Sequence, residues 1–151
     1  MFRVFRMRTE EFENPKEVIP KLLDKAKKYV WISTGLYPDF YNDSQIQKAI
    51  TNAAKQVKSF RVLIDGNAKE KLKKVKWLLE LEKEGLVEIR QTKKVRHWMI
   101  VDGVHFRLEK PHLEDEMGKK NLIVWNADPA ASRILTRIWL KWWSNAEPIK
   151  L

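Results

Sequence analysis

The sequence contains no cysteine among its 151 residues. This absence excludes disulfide bonds and metal sites built from thiolates, and it fits a protein of the reducing cytoplasm. Long apolar runs are also missing, because no stretch approaches the roughly 18 residues that a membrane span requires. The amino terminus lacks the apolar core of a signal peptide. We therefore expect a cytoplasmic protein without integral membrane association.

Charge, in contrast, is plentiful and unbalanced. Charged residues make up 33% of the chain, above the roughly 25% of an average globular domain. An excess of Lys and Glu in a cysteine-free chain is typical of thermophilic proteins, so we expect a thermophilic source. The 30 basic and 20 acidic residues give a net charge of +10. Such a charge favours polyanionic partners, namely nucleic acid or anionic lipid surfaces, although solubility alone also accounts for a basic protein.

Strand and helix patterns alternate along the chain. Asn14 and Pro15 form a favourable helix start, and Pro20 either kinks this first helix or marks its true start. The order predicts one α/β domain over residues 1–151, with a mixed, mostly parallel sheet flanked by helices on both faces. The predicted strands are 2–7, 29–34, 60–65, 86–90, 96–101, 104–110 and 121–126, and the predicted helices are 15–28, 44–57, 68–84 and 129–145.

The most informative pattern lies in Val95–Gly103, an apolar strand that runs into an Asp-Gly turn. Its spacing resembles the His-x-Lys-x4-Asp motif of the phospholipase D-like superfamily. When the two are aligned on Asp102, Val95 occupies the position of the motif histidine and His97 that of the lysine. The scaffold part of the motif is therefore present, but the reactive histidine is replaced.

Other segments resemble one half of the phospholipase D-like fold in their order and spacing. The resemblance covers nearly the whole chain, and it implies an α/β domain equivalent to one repeat of that fold. The segments that carry it, besides the motif, are Asp24–Lys27, Ala53–Lys55, Arg61–Asp65, Ile138–Trp143 and Glu147–Ile149.

The resemblance implies a chemistry that this chain cannot fully perform. In active members two motif copies meet across a twofold axis, where one histidine attacks phosphorus, the other protonates the leaving oxygen, and the lysines bind the phosphate. Members with a single motif supply the second copy by dimerisation, so the resemblance implies a C2 homodimer. Val95 has no lone pair, and attack from that position is impossible.

His97 and Asp102 each have two interpretations. Strand alternation through a two-residue turn places His97 on the same face as Phe106 and Leu108, and His105 on the opposite face. His97 is then either a partly buried structural histidine or a ligand-contacting residue, which would be catalytic if the protein is active. Asp102 is either a turn residue or the catalytic aspartate of the motif. Since His97 and His105 face apart, no metal site is predicted, and no cofactor is implied.

Positive charges flank the motif. The candidates for binding phosphate or nucleic acid are Arg90, Lys93, Lys94, Arg96, Lys119, Lys120 and Asn121. Such a group of cations could follow a nucleic-acid backbone with salt-dependent, largely sequence-independent affinity. In the last helix, Trp142 and Trp143 diverge by about 100°, so we expect them to be unequally buried.

Two hypotheses for function follow. The first is a non-catalytic phospholipase D-like homodimer that binds a phosphate-bearing polyanion, with DNA or RNA as the leading candidate. The alternative is an atypical phosphodiesterase or nuclease in which His97 performs the chemistry across the dimer interface. The replacement of the motif histidine by Val95 favours the first.

Overall fold

Eight strands and six helices make up the computed structural model, which describes residues 6–110 and 121–149. The strands are β1 Arg8–Phe12, β2 Tyr29–Thr34, β3 Ser59–Asp65, β4 Glu88–Thr92, β5 Trp98–Val101, β6 His105–Glu109, β7 Asn121–Trp125 and β8 Glu147–Pro148. The helices are α1 Pro15–Asp24, α2 Pro38–Tyr41, α3 Ser44–Gln56, α4 Ala68–Lys74, α5 Lys76–Lys83 and α6 Pro129–Ser144.

The strands form one mixed sheet in the order β1-β7-β6-β5-β2-β3-β4-β8. The predicted α/β domain with helices on both faces of a mixed sheet is confirmed. Parallel pairing is less extensive than the sequence predicted, because only the β2–β3 and β3–β4 pairings are parallel. Helices connect these three strands, as parallel crossovers require. The other five pairings are antiparallel.

The two faces of the sheet are covered unequally. Helices α1 to α5 pack on one face, and α6 packs on the other against residues such as Leu63 and Phe106. Trp139 is fully buried and stacks on Trp31, with ring centroids 5.3 Å apart. Trp143 is buried while Trp142 is only half-buried, which confirms the predicted difference.

Polar side chains cap the N-termini of the first and last helices, α1 and α6. The Asn14 side chain accepts a hydrogen bond from the Lys16 backbone N–H, and α1 continues through Pro20 to Asp24 rather than to residue 28. Asp128 caps α6 in the same manner by accepting from the Ala131 N–H. These caps satisfy backbone donors that have no partner within the helix.

The edge strand lies later in the sequence than predicted. We expected it at 2–7, of which 2–5 lie outside the described residues, but β1 spans Arg8–Phe12. Its register opposite β7 pairs Phe12 with Asn121 and directs the partly buried Phe12 towards the core. Tertiary pairing, rather than the alternation of apolar and basic residues, therefore selects this strand.

The predicted helix 68–84 is broken at Val75, which is buried and leaves helical geometry at φ −127° and ψ 61°. Asn42, at the end of α2, stabilises the break. Its amide Nδ2 donates to the Lys74 carbonyl at 2.8 Å, and its Oδ1 accepts from Trp77 Nε1 at 3.1 Å. These two hydrogen bonds satisfy the Lys74 carbonyl and the Trp77 indole N–H on either side of the break. Both come from Asn42, which is distant in sequence.

The hairpin between β5 and β6 corrects the predicted side-chain faces. Asp102 and Gly103 form the turn, with positive φ angles of 56° and 71°. However, the ladder pairs Val101 with His105, so three residues rather than two separate the paired positions. This one-residue difference reverses every side chain of the second strand. His105, and not Phe106, therefore shares a face with His97.

Candidate functional site

Strand directions bring several polar side chains together at one end of the sheet. Since β2 and β3 are parallel, Thr34 and Asp65 end at the same edge. Because β5 is antiparallel to β2, it begins at this edge, next to His97, and β6 ends there at Glu109. We call this end the carboxyl edge. In parallel sheets, functional groups characteristically collect where the strands end.

His97 lies between two carboxylates at the carboxyl edge. Its Nε2 is 2.9 Å from Asp65 Oδ2, and its Nδ1 is 3.8 Å from Glu109 Oε1. Burial lowers the pKa of His97, but the hydrogen bond to Asp65 and the charges of Asp65 and Glu109 outweigh it and raise the pKa to about 9. The side chain is therefore an imidazolium at neutral pH. Gly35 permits this packing, since a Cβ there would lie 3.1 Å from the His97 ring.

A buried ionic network extends from Glu109 into the protein. Arg107 is 5% exposed, forms an ion pair with Glu109, and donates from Nε to Asn121 Oδ1 at 2.6 Å. Asn121 is 2% exposed, and its Nδ2 donates to the Phe12 carbonyl. Asn121 was a candidate for phosphate contact, but the structure places its amide inside the protein, where it positions Arg107.

The start of β5 is fixed by a second set of hydrogen bonds. The buried Ser33 hydroxyl donates to the Arg96 carbonyl at 2.7 Å and accepts from the Trp98 N–H at 2.9 Å. The Val95 N–H donates to Asp65 Oδ2 at 3.2 Å. The segment that resembles the motif is thus held rigidly against the ends of β2 and β3.

A cleft with a volume of about 370 Å³ opens beside His97. Lys94, Arg96 and Lys110 are exposed, and they give the cleft a positive rim around the carboxylate of Glu109. The half-buried Trp142 contributes an aromatic wall and packs against Trp98, with ring centroids 4.8 Å apart. The lining residues are Lys94, Val95, Arg96, His97, Glu109, Lys110 and Trp142.

The remaining predicted cations have different positions. Lys93 is exposed next to Lys94, in the segment that precedes β5. Arg90 lies 4.3 Å from the centroid of the Trp143 ring, and its guanidinium donates to the Trp143 carbonyl at 3.0 Å. Arg90 therefore holds the end of α6. Lys119 and Lys120 lie outside the described residues.

Asp102 lies at the opposite end of β5 from His97, so the structure does not bring the two together. Its carboxylate accepts hydrogen bonds from the backbone N–H groups of Lys27, Lys28 and Tyr29, at 2.7 to 3.2 Å. This arrangement joins the β5–β6 turn to the segment between α1 and β2. The described contacts of Asp102 are those of a structural turn residue.

Replacing Asp102 should therefore reduce stability. We expect Asp102→Gly, which retains the positive φ but removes the acceptors, to lower the free energy of unfolding by about 2 kcal/mol. Asp102→Asn retains one acceptor and should cost about half as much. Urea denaturation of the three proteins measures both effects. Equal stability of the glycine variant and the unmodified protein would contradict this role.

Sequence reasoning did not identify Asp65, Glu109 or Lys110 as site residues. Asp65 carried a usable signal, because it directly follows an apolar strand and the ends of parallel strands meet. Glu109 could not be assigned to the His97 face, since that assignment depends on the hairpin register. Among the described residues, no three His, Asp or Glu side chains converge to hold a metal ion. None of the described helices has the length and apolarity needed to cross a membrane.

Comparison with known structures establishes the class of fold. No protein-family model and no curated protein matches the sequence. The structure nevertheless superposes on Nuc from Salmonella typhimurium, a phospholipase D family member, with a TM-score of 0.72, 15% identity, and coverage of 97% of this chain and 100% of Nuc. The predicted phospholipase D-like fold is confirmed.

Two further structures share this architecture. TrmBL2, described as an archaeal chromatin protein with a novel mode of DNA binding, aligns with a TM-score of 0.69 and 18% identity. The alignment covers 99% of this chain but 56% of TrmBL2, so the chain spans little more than half of that protein's length. NucT from Helicobacter pylori aligns with a TM-score of 0.66 and 12% identity, over 95% of this chain and 100% of NucT.

Proposed function

We propose that this chain is a non-catalytic phospholipase D-like domain that binds a phosphate-bearing polyanion, with nucleic acid as the leading candidate. The observation that carries the proposal is the cleft at the carboxyl edge. There, exposed cations surround a histidine that is held as an imidazolium between Asp65 and Glu109. This combination suits binding of an anion and not attack on one.

Neither residue 95 nor residue 97 offers a nucleophilic lone pair at neutral pH. Attack on phosphorus requires an unprotonated nucleophile. The aliphatic side chain of Val95, at the position of the motif histidine, has no lone pair. His97 is protonated at neutral pH because its pKa is raised to about 9, against the lowering effect of burial, by its hydrogen bond to Asp65 and by the charges of Asp65 and Glu109. Both of its ring nitrogens face a carboxylate.

Positive charge at the cleft favours binding of a polyanion. Lys94, Arg96 and Lys110 are exposed at the rim of one cleft, where each could neutralise a phosphate of a nucleic-acid backbone. Such contacts release counterions and give salt-dependent affinity that is largely independent of sequence. The half-buried Trp142 adds a surface on which an unpaired base could stack. The description of TrmBL2 as a DNA-binding chromatin protein supports the same ligand class.

We further propose that the functional unit is a C2 homodimer in the cytoplasm. The chain carries one copy of the degenerate motif, and the resemblance implies that a second copy comes from a partner chain. Two such clefts related by a twofold axis would bring six rim cations together, which strengthens binding to a polyanion. Sedimentation equilibrium of the purified protein measures the oligomeric state, and a strict monomer at micromolar concentration would contradict this part of the proposal.

Removal of the rim cations tests the binding proposal. We expect Lys94→Ala/Arg96→Ala/Lys110→Ala to weaken binding to a labelled duplex at least 10-fold. The slope of log affinity against log salt should fall by about 2 to 3, because each lost phosphate contact contributes about 0.9. A charge-matched control is Lys21→Ala/Lys48→Ala/Lys83→Ala, which removes exposed lysines from α1, α3 and α5. Fluorescence anisotropy measures both affinities.

The outcomes separate the hypotheses clearly. Equal losses in both triple variants would mean that affinity follows net charge and not the cleft, and would overturn the proposed site. Failure of the unmodified protein to bind any polyanion would leave a structural role. Turnover of single-stranded DNA, duplex DNA or a chromogenic phosphodiester in the presence of chelator, abolished by His97→Ala, would establish the atypical phosphodiesterase instead.

A further inference from the structure

We infer that the edge of the sheet opposite the cleft is a second polyanion-binding surface, so that the protein bridges two separate nucleic-acid segments. The inference rests on the proposed function for its ligand class, but it concerns different residues. We call this second surface the amino edge, because β2 and β3 begin there. It consists of Arg8, Lys25, Lys27, Lys28 and Lys58, all of which are exposed.

The first part of the amino edge is organised by Trp125, the last residue of β7. Arg8 and Lys25 both lie over its ring, at 5.4 Å and 5.5 Å from the centroid. Cation–π contacts with a buried indole hold both side chains in place while their charges remain exposed. Arg8 and Lys25, which come from β1 and from the end of α1, are thus brought side by side.

The second part is organised by the backbone. Asp102 fixes the N–H groups of Lys27 and Lys28, and the Lys28 carbonyl accepts a hydrogen bond from the Lys58 N–H at 3.1 Å. The ends of α1 and α3 therefore present their lysines next to one another. The Asp102 carboxylate binds these backbone donors rather than the lysine ammonium groups, although its negative charge remains. Within the described part of the chain, Lys27, Lys28 and Lys58 form no ion pair with a side chain.

The surrounding charges leave this edge positive. Glu10 pairs with Arg8, and Asp24 is the exposed carboxylate nearest in sequence to the lysines. With Asp102 included, five cations thus face three carboxylates, and the edge keeps a net positive charge. Burial, and then the charge of Lys25, lower the pKa of the nearby His105, while the charge of Asp102 raises it by less. His105 is thereby kept neutral at pH 7, and its Nδ1 accepts a hydrogen bond from the Asn126 N–H.

The two surfaces are far enough apart to act independently. Strand β2, which spans Tyr29–Thr34, runs from the amino edge to the carboxyl edge. Six residues of extended strand cover about 17 Å, roughly twice the screening length at physiological salt. The two edges face in opposite directions along the strands. Phosphates bound at the cleft and phosphates bound at the amino edge would therefore belong to different segments of nucleic acid.

A bridging experiment tests this inference. One duplex is immobilised, protein is added, and recovery of a second, fluorescent duplex is measured. The unmodified protein should recover the second duplex, and Lys27→Ala/Lys28→Ala/Lys58→Ala should reduce recovery at least 10-fold while its affinity for a single duplex changes by less than about 3-fold. The backbone contacts of these residues persist in alanine, and thermal unfolding confirms the fold. The helix triple variant described above again serves as the charge-matched control.

Each result has a distinct meaning. Unchanged bridging by the amino-edge variant would overturn the inference, and would assign bridging to a dimer with two separate clefts. A second outcome is that the amino-edge variant loses bridging while the cleft variant keeps full affinity for a single duplex. That result would contradict polyanion binding at the cleft and would support polyanion binding at the amino edge. Loss of single-duplex affinity in the amino-edge variant to the same degree as in the cleft variant would show one continuous site and would also overturn the inference.

Discussion

Raising the pH from 6.5 to 9 is expected to remove about 3 kcal/mol from the free energy of unfolding through His97 alone. In the folded protein the pKa of His97 is raised from 6.5 to about 9, against the lowering effect of burial, by its hydrogen bond to Asp65 and by the charges of Asp65 and Glu109. The folded state therefore binds more protons than the unfolded state throughout this pH window. Since one pKa unit corresponds to about 1.4 kcal/mol, the stabilisation is complete below pH 6.5 and is lost as the pH passes 9.

Two histidine variants isolate this effect. Urea denaturation between pH 6 and pH 9.5 should show that His97→Gln is less stable than the unmodified protein at pH 6 and equally stable near pH 9.5. His105→Gln is the matched control, because the pKa of His105 is lowered and its contribution is lost only as the pH falls below 6.5. A stability difference between His97→Gln and the unmodified protein that stays constant with pH would contradict the imidazolium assignment.

Truncation of Arg107 should produce the largest loss of stability. The Arg107 side chain is 6% exposed and forms an ion pair with Glu109, whose side chain is also 6% exposed. We expect Arg107→Ala to lower the free energy of unfolding by about 3 to 5 kcal/mol, because it leaves the Glu109 carboxylate buried without its principal counter-charge. It also leaves Asn121 Oδ1 without its donor.

The chain offers a matched control for this substitution. Arg8 forms an ion pair with Glu10 at the surface, so Arg8→Ala should change stability by about 0.5 kcal/mol or less. The double variant Arg107→Met/Glu109→Leu removes both charges and should recover at least half of the loss caused by Arg107→Ala. A loss below about 1 kcal/mol for Arg107→Ala, or no recovery in the double variant, would show that the buried pair does not determine the stability of this region.

Several elements could be predicted because their signals are local. Tyr29–Thr34 and Asn121–Trp125 are apolar runs of strand length, and both form strands. Asn14 and Asp128 cap helices exactly where short polar residues precede apolar periodicity. The unequal burial of Trp142 and Trp143 follows from helix geometry alone. In each case the residues that determine the outcome lie within one turn or one strand of each other.

Other features depended on residues that are distant in sequence. The break at Val75 depends on Asn42, and the position of β1 depends on its register with β7. The turn after β5 contains one residue more than predicted, and no local sequence preference specified this length. The turn length decides which side chains of β6 face His97. The same turn length decided that Glu109, and not an apolar side chain, faces the imidazole.

The sequence by itself determined the class of fold, because alternation and capping are properties of contiguous residues. Only the tertiary structure decided which charges meet. The order and direction of the strands bring Asp65, His97, Glu109 and Arg107 to one edge and the lysines that follow α1 and α3 to the other. Electrostatic energy depends on distance in space, and distance in space is fixed by strand pairing and register rather than by position along the chain.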